Sequence, residues 1–292
     1  MPLRTVFDIA RFEFDIAWAA GEWLSKIVTE PLLKSLCPKG DGNQPVLTLP
    51  GFAGPELSLA PLNRFLTQQG FPTQSWGMGT NRGPRGTAYM EEMKRTLGRK
   101  IAGLAHKHGR KVSLIGQSLG GIYAREIARE HPDVVERVIT LGSPAYMDPD
   151  RPHDVNRTVG MAVRLYTGKE HRDHLVDAHA AKVREAPPGV PLIAIYSPLD
   201  GVVSEDSTVI PEHDLTMIGN APRENIEIMG SHCGMGVNPV VLLAICDRLL
   251  ADPVRWTPFN PMQYLKGPLT PLGRIFYPEH ETVMPARRKK YV

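Results

Sequence analysis

A chain of 292 residues with 42% hydrophobic and 22% charged residues can bury a sizeable core, as one large or two small domains. Its net charge of +3 is too small to point to nucleic acid, and the basic run Arg287-Arg288-Lys289-Lys290 reads as a solvated tail. Cys37, Cys233 and Cys246 are too few and scattered for a disulfide framework, and no segment approaches the roughly 20 apolar residues that span a bilayer.

Asp8, Glu13 and Asp15 interrupt any signal-peptide core, so a cytoplasmic protein is expected. Residues 5–30 pattern as one amphipathic helix. Val6, Ile9, Ala10, Ile16, Ala17, Ala20, Trp23, Leu24, Ile27 and Val28 fall on one side, and Asp8, Arg11, Asp15, Glu22, Ser25, Lys26 and Thr29 lie largely opposite. Pro31 is the expected stop. Trp18 and Trp23 would suit a membrane or partner surface, but the polar side holds more acid than base, which is wrong for anionic lipid. A helix packed on the rest of the chain is therefore preferred, with peripheral membrane contact through residues 5–30 as the alternative. Residues 39–43, KGDGN, read as a linker.

Val46 to Leu49 is a buried-strand pattern that runs into Pro50-Gly51-Phe52-Ala53-Gly54-Pro55. Leu59, Leu62, Phe65 and Leu66 mark a helix closed by Gly70, Phe71 to Trp76 a strand, and Met93, Leu97, Ile101, Leu104 and Ala105 a long helix. Val112, Leu114 and Ile115 form the next strand run. Gly116-Gln117-Ser118-Leu119-Gly120 follows at once, and then Ile122, Ala124, Ile127 and Ala128 at helical spacing. Strand, Gly-x-Ser-x-Gly and helix in that order form a nucleophile elbow, which exposes a serine hydroxyl at a tight turn above a helix N-terminus. The N–H of Leu119 then faces the place where an oxyanion would form, and the early loop supplies a second donor at Phe52, since Pro50 has no N–H.

Val134 to Leu141 is a further strand. Residues 145–189 hold no convincing strand between Pro-rich stretches, and a helical cap is expected there, with Met147, Met161, Val163, Leu165 and Tyr166 as candidates to face an acyl chain. His171, His174 and His179 do not share one helical face, so no metal is expected. Pro191 to Tyr196 and Glu224 to Met229 resume the strands, and Val240 to Leu249 closes with a helix. Alternating strands and helices predict an α/β fold with a mostly parallel sheet covered on both faces.

A serine hydroxyl needs a base and a group to orient that base. Ser118, Asp200 and His232 stand in the chain order Ser, acid, His, each just after a strand end, and parallel strands deliver those ends to one edge. His213 with Asp214, His153 with Asp154, and Asp206 are weaker competitors. Cys233 has no elbow and is set aside as a nucleophile.

With LPGFAGP, GMGTNRGP, IGQSLGG, TLGSP, YSPLDGVV and GSHCGMGVNP, residues 45–250 resemble the α/β-hydrolase serine esterases and lipases of the bacterial cytosolic type. The resemblance implies Ser118 as nucleophile, Asp200 as acid, His232 as base, Phe52 and Leu119 as oxyanion donors, no cofactor, and a small-molecule or lipid acyl ester as substrate. It departs from that family at the start, where an N-terminal helix stands in place of two antiparallel strands. The expected organisation is a helix in 1–36, a catalytic domain in 45–250 with the cap inserted at about 145–189, and an extended tail in 251–292. The same triad would serve an acyltransferase, and the fold alone would serve a non-catalytic lipid-binding protein.

Overall fold

The computed structural model describes residues 3–83, 87–144, 187, 189–210, 215 and 221–264. Among the described residues six strands form a single sheet: β1 (Val46–Leu49), β2 (Thr73–Ser75), β3 (Val112–Gln117), β4 (Val135–Leu141), β5 (Leu192–Tyr196) and β6 (Arg223–Glu227). Their order is β2-β1-β3-β4-β5-β6, and every neighbouring pair is parallel. The helices that accompany them include α1 (Leu3–Leu36), α2 (Ala60–Gln68), α3 (Thr87–His108), α4 (Leu119–Glu130), the single turn α5 (Glu205–Thr208) and α6 (Pro239–Leu250).

The period-2 alternation of β-strands divides the core into two layers. Ile115, Ile139, Leu141, Ile193 and Ile195 point to one face, where they meet Leu62, Phe65 and Leu66 of α2, Leu243 and Leu249 of α6, and Leu33 near the end of α1. Leu114, Val138, Leu192 and Ala194 point to the other, against Met93, Leu97 and Ile101 of α3 and Tyr123, Ala124 and Ile127 of α4. Burial on both faces explains why these strands read as nearly continuous apolar runs. The expected strand over Phe71 to Trp76 shortens to Thr73–Ser75 because it is the sheet edge, with Phe71 and Trp76 turned into opposite core layers.

The chain runs outward from β1 to β2 and then crosses back to β3. The elements after β1 and β3 leave toward opposite faces, so the topology switches at the C-terminal ends of those two strands, the place where ligands bind in open α/β sheets.

Two expectations for α1 fail. It runs through Pro31 to Leu36, because Leu33 and Cys37 are buried in the core beyond it and that packing outweighs the hydrogen bond Pro31 cannot donate. The packed face is also the reverse of the one expected. Asp15, Glu22 and Lys26 are buried, whereas Ile16, Trp23, Leu24, Ile27 and Val28 are exposed, Leu24 by 64% and Val28 by 72%. Every exposed residue from Phe14 to Leu32 is apolar. No helix among the described residues is long and apolar enough to cross a membrane. Beyond α6, residues 251–264 lie on the body: Phe259 is buried and its N–H donates to Glu224 at 2.6 Å, and the Arg248 guanidinium stacks 4.8 Å from the Trp256 ring.

Candidate active site at the C-terminal edge of the sheet

Ser118 stands between β3 and α4 with φ 51° and ψ −122°, a backbone conformation that costs a non-glycine residue about 1–3 kcal/mol. The flanking glycines make the turn possible. A Cβ on Gly116 would strike the backbone of Gly120 and Gly121, and one on Gly120 would strike the carbonyls of Leu49 and Pro50. Ser118 N–H donates to the Leu141 carbonyl at 2.9 Å, and its own carbonyl accepts from Ser143 Oγ at 2.6 Å. Its hydroxyl is not spent on capping α4. The loop after β1 closes on the same spot, since a Cβ on Gly51 would stand 3.2 Å from Ser118 Cβ.

That loop is held by a residue the sequence reading passed over. Asn81 is fully buried; its Nδ2 donates to the Pro50 carbonyl at 2.7 Å and its Oδ1 accepts from Gly83 N–H at 3.1 Å. Its backbone exchanges bonds with Ala53 and Gly54. Phe52 is thus framed on both sides, while Leu119 opens α4. The signal for Asn81 lay in GMGTNRGP, a motif noted for its resemblance and given no role.

Asp200 follows β5 and His232 follows β6. His232 Nδ1 and Asp200 Oδ2 are 2.7 Å apart, with the two residues 6% and 2% exposed. The other Asp200 oxygen accepts from Val202 N–H at 2.8 Å and Val203 N–H at 2.7 Å. Burial alone would lower the His232 pKa, but the charge and hydrogen bond of Asp200, with the charge of Asp15, raise it above the ordinary 6.5.

Ser197 staples the two loops: its Oγ donates to the Gly230 carbonyl at 2.6 Å and accepts from the N–H groups of Leu199 and Gly230. Gln117 Nε2 donates to the His232 carbonyl at 3.0 Å, which ties the residue before Ser118 to the histidine loop. Gly142, directly after β4, lies beneath the pair, where a Cβ would meet Asp200 Oδ2 at 2.9 Å and His232 Nδ1 at 3.0 Å.

The polar face of α1 reaches the same loops. Asp15 Oδ1 accepts from Gly201 N–H at 3.0 Å and His232 N–H at 2.6 Å, and Oδ2 from Cys233 N–H at 3.0 Å. Glu22 accepts from Ser231 N–H, Ser231 Oγ and Asn238 Nδ2. Burial raises the Glu22 pKa, the Asp15 charge adds to it, and the Ser231 and Asn238 bonds oppose it. Cys233 is solvent-facing, yet desolvation on its protein side and the Asp15 carboxylate push its thiol up to about 12, far from a thiolate nucleophile.

Ser118, Asp200, His232, Phe52 and Leu119 therefore gather at one edge. Met147, Met161, Val163, Leu165 and Tyr166, the cap over 145–189 apart from residues 187 and 189, and the competitors His153, Asp154, His213 and Asp214 lie outside the described residues, as do His171, His174 and His179. Asp206 lies in α5, beyond the loop that holds Asp200. Among the described residues no group of three or more His, Cys, Asp or Glu side chains could hold a metal ion.

No family model matches the chain. No curated protein matches it. Solved structures do. A Bacillus licheniformis lipase in mature form superposes with a TM-score of 0.52 at 16% identity, over 72% of this chain and 94% of that one. An Aspergillus fumigatus lipase B superposes with a TM-score of 0.51 at 16% identity, over 82% of this chain and 59% of that one. At such identities the likeness is one of architecture, and it agrees with the parallel sheet and its flanking helices. This chain has the α/β-hydrolase fold.

Proposed function

We propose that the protein is a serine hydrolase cleaving carboxylic esters through an acyl-enzyme, with Ser118 as nucleophile, His232 as base and Asp200 as the group that orients it. The observation that carries the reading is the buried 2.7 Å contact between His232 and Asp200 at the sheet edge where Ser118 occupies its strained turn. With Nδ1 engaged by Asp200, Nε2 is the nitrogen left to receive a proton.

Ser118 Oγ attacks the ester carbonyl carbon while its proton passes to His232 Nε2, and Asp200 stabilises the imidazolium. Charge gathers on the former carbonyl oxygen, where the N–H groups of Phe52 and Leu119 are the proposed donors. Collapse breaks the C–O bond to the alcohol, which leaves with the proton from His232. Water, deprotonated by His232, then attacks the acyl-enzyme by the same route and releases the acid. The substrate class is an apolar acyl ester, a small molecule or a lipid, and Met147, Met161, Leu165 and Tyr166 are the proposed acyl contacts.

Purified protein is expected to release p-nitrophenol from acyl esters in a burst and to label at Ser118 with a fluorophosphonate probe. Ser118→Ala should lose both, and Asp200→Asn should fall roughly 10³- to 10⁴-fold in kcat. Full activity in both Ser118→Ala and His232→Ala would sink the assignment.

A further inference from the structure

An amphipathic helix ordinarily buries its apolar stripe, yet α1 buries carboxylates and exposes tryptophan and leucine. The exchange has a physical cause. Loops at the C-terminal edge of a parallel sheet carry backbone N–H groups with no strand to receive them, and a buried N–H must find an acceptor. Arg11, Asp15 and Glu22 lie four and seven residues apart and so share one face of α1, and that face lies across both loops. Arg11 Nη2 donates to the Asp200 carbonyl at 3.1 Å. A Cβ on Gly201 would stand 2.8 Å from Asp15 Cβ, so the helix and the acid loop are in contact without a spare atom between them.

Asp15 is 0% exposed, and its two oxygens take N–H groups from positions 201, 232 and 233. Two of those belong to the histidine loop and one to the residue after Asp200. A single carboxylate therefore spans the two segments whose spacing sets the Asp200–His232 contact.

We propose that Asp15 is a positioning residue of this active site: its buried carboxylate locks the acid loop to the histidine loop and lends negative charge to the imidazolium. The first half of that statement concerns only the Asp200–His232 pair, and the second rests on the serine-hydrolase reading for its catalytic meaning. Among the described residues, the ionisable groups around the imidazole are Asp200 from the β5 loop and Asp15 from α1, with Cys233 beside it, Glu22 behind Asp15 and the Arg11 guanidinium on the Asp200 carbonyl. Asp15 is thus the second carboxylate facing His232 and the only one of the two delivered by α1.

The test compares full-length wild type with Asp15→Asn, which keeps the size and one acceptor oxygen but loses the charge and the second acceptor. His232 is titrated by NMR on histidine-labelled protein, its signal identified by its loss in His232→Gln. The expected result is a lower His232 midpoint, an acid limb of kcat/KM displaced to lower pH, and kcat roughly 10- to 100-fold lower with KM within about twofold, as a small misplacement of the base implies.

Rates are expressed per site labelled by the fluorophosphonate, so loss of folded protein does not imitate loss of kcat. Asp15→Glu keeps the charge and shifts its place; it should retain the raised midpoint and lose kcat, and it decides the matter if Asp15→Asn does not fold. A folded Asp15→Asn, or failing that a folded Asp15→Glu, with wild-type midpoint and kcat overturns the proposal. A wild type that neither turns over ester nor takes up the probe defeats the hydrolase reading instead, while the NMR comparison still decides whether Asp15 acts on His232.

Discussion

Gly142 offers a perturbation of the site that leaves every polar group in place. It follows β4 with φ 52°, and a Cβ there would stand 2.9 Å from Asp200 Oδ2, 3.0 Å from His232 Nδ1 and 3.1 Å from Met235 Sδ. Unstrained contacts to carbon lie at about 3.5–4.0 Å, so Gly142→Ala asks the pair to retreat by roughly half an ångström or more. The pair is held from behind. Asp200 Oδ1 is fixed by two N–H groups at 2.8 and 2.7 Å, and His232 N–H by Asp15 at 2.6 Å.

The left-handed backbone adds about 1–2 kcal/mol of strain. Displacement on the order of 1 Å costs about 100-fold in rate, equivalent to about 2.7 kcal/mol of transition-state stabilisation. Gly109→Ala is the matched control: its φ is 62° and a Cβ there meets nothing within 4 Å. Urea unfolding should show Gly109→Ala destabilised by the backbone strain alone and Gly142→Ala by that strain plus about 1–3 kcal/mol for the clash, while ester hydrolysis falls about 100-fold in Gly142→Ala and stays near wild type in Gly109→Ala. Equal kcat/KM in the two folded variants would refute the argument that the Asp200–His232 spacing is set against residue 142 and matters to turnover.

The raised His232 pKa gives a pH dependence with a definite sign. The base works neutral, so kcat/KM should rise through a midpoint above 6.5, measured as the acid limb of the pH–rate profile. As a stability term the same shift runs the other way: its contribution is fully present below the unfolded-state pKa and is lost as pH rises through the folded-state value. Asn81→Ala removes the donor to the Pro50 carbonyl and should cost about 1–3 kcal/mol in urea unfolding, with kcat reduced more than KM is raised. On α1, Leu24→Gln and Val28→Gln should change stability by no more than about 0.5 kcal/mol because both side chains are exposed, whereas Leu33→Ala, in the core, should cost about 2–5 kcal/mol.

Much of this framework is legible in the sequence where one physical demand dominates. Strands buried on both faces have to be apolar, so β1, β3, β4 and β5 stand out as runs, and the glycines at 116 and 120 mark a turn too tight for any other residue. The contact between Asp200 and His232 could be anticipated because parallel strands present their ends at one edge. What escaped were residues whose role is to satisfy another segment's backbone. Asn81 serves the carbonyl of Pro50, Ser197 serves Gly230, and Asp15 serves three N–H groups more than 180 residues away in the chain. Such a residue looks like any other surface polar residue until its partner's position is known.

Helix α1 makes the point sharply, because its periodicity is legible in the sequence and its orientation is not. A hydrophobic stripe identifies the face that gains most by leaving water, at roughly 25 cal/mol per Å². It does not identify the face that meets the protein when the surface to be covered is a set of backbone donors. Apolar cover over the N–H groups of residues 201, 231, 232 and 233 would leave each unpaired, at about 1–3 kcal/mol apiece. Asp15 and Glu22 accept from all four. Burial of two carboxylates is costly in turn, and the raised pKa of Glu22 records that cost. The balance favours acid-inward docking because each carboxylate meets several donors at once. The stretch of the helix from Asp15 to Glu22 is thereby committed to the loops that carry Asp200 and His232, while Leu33 near its end joins the apolar core.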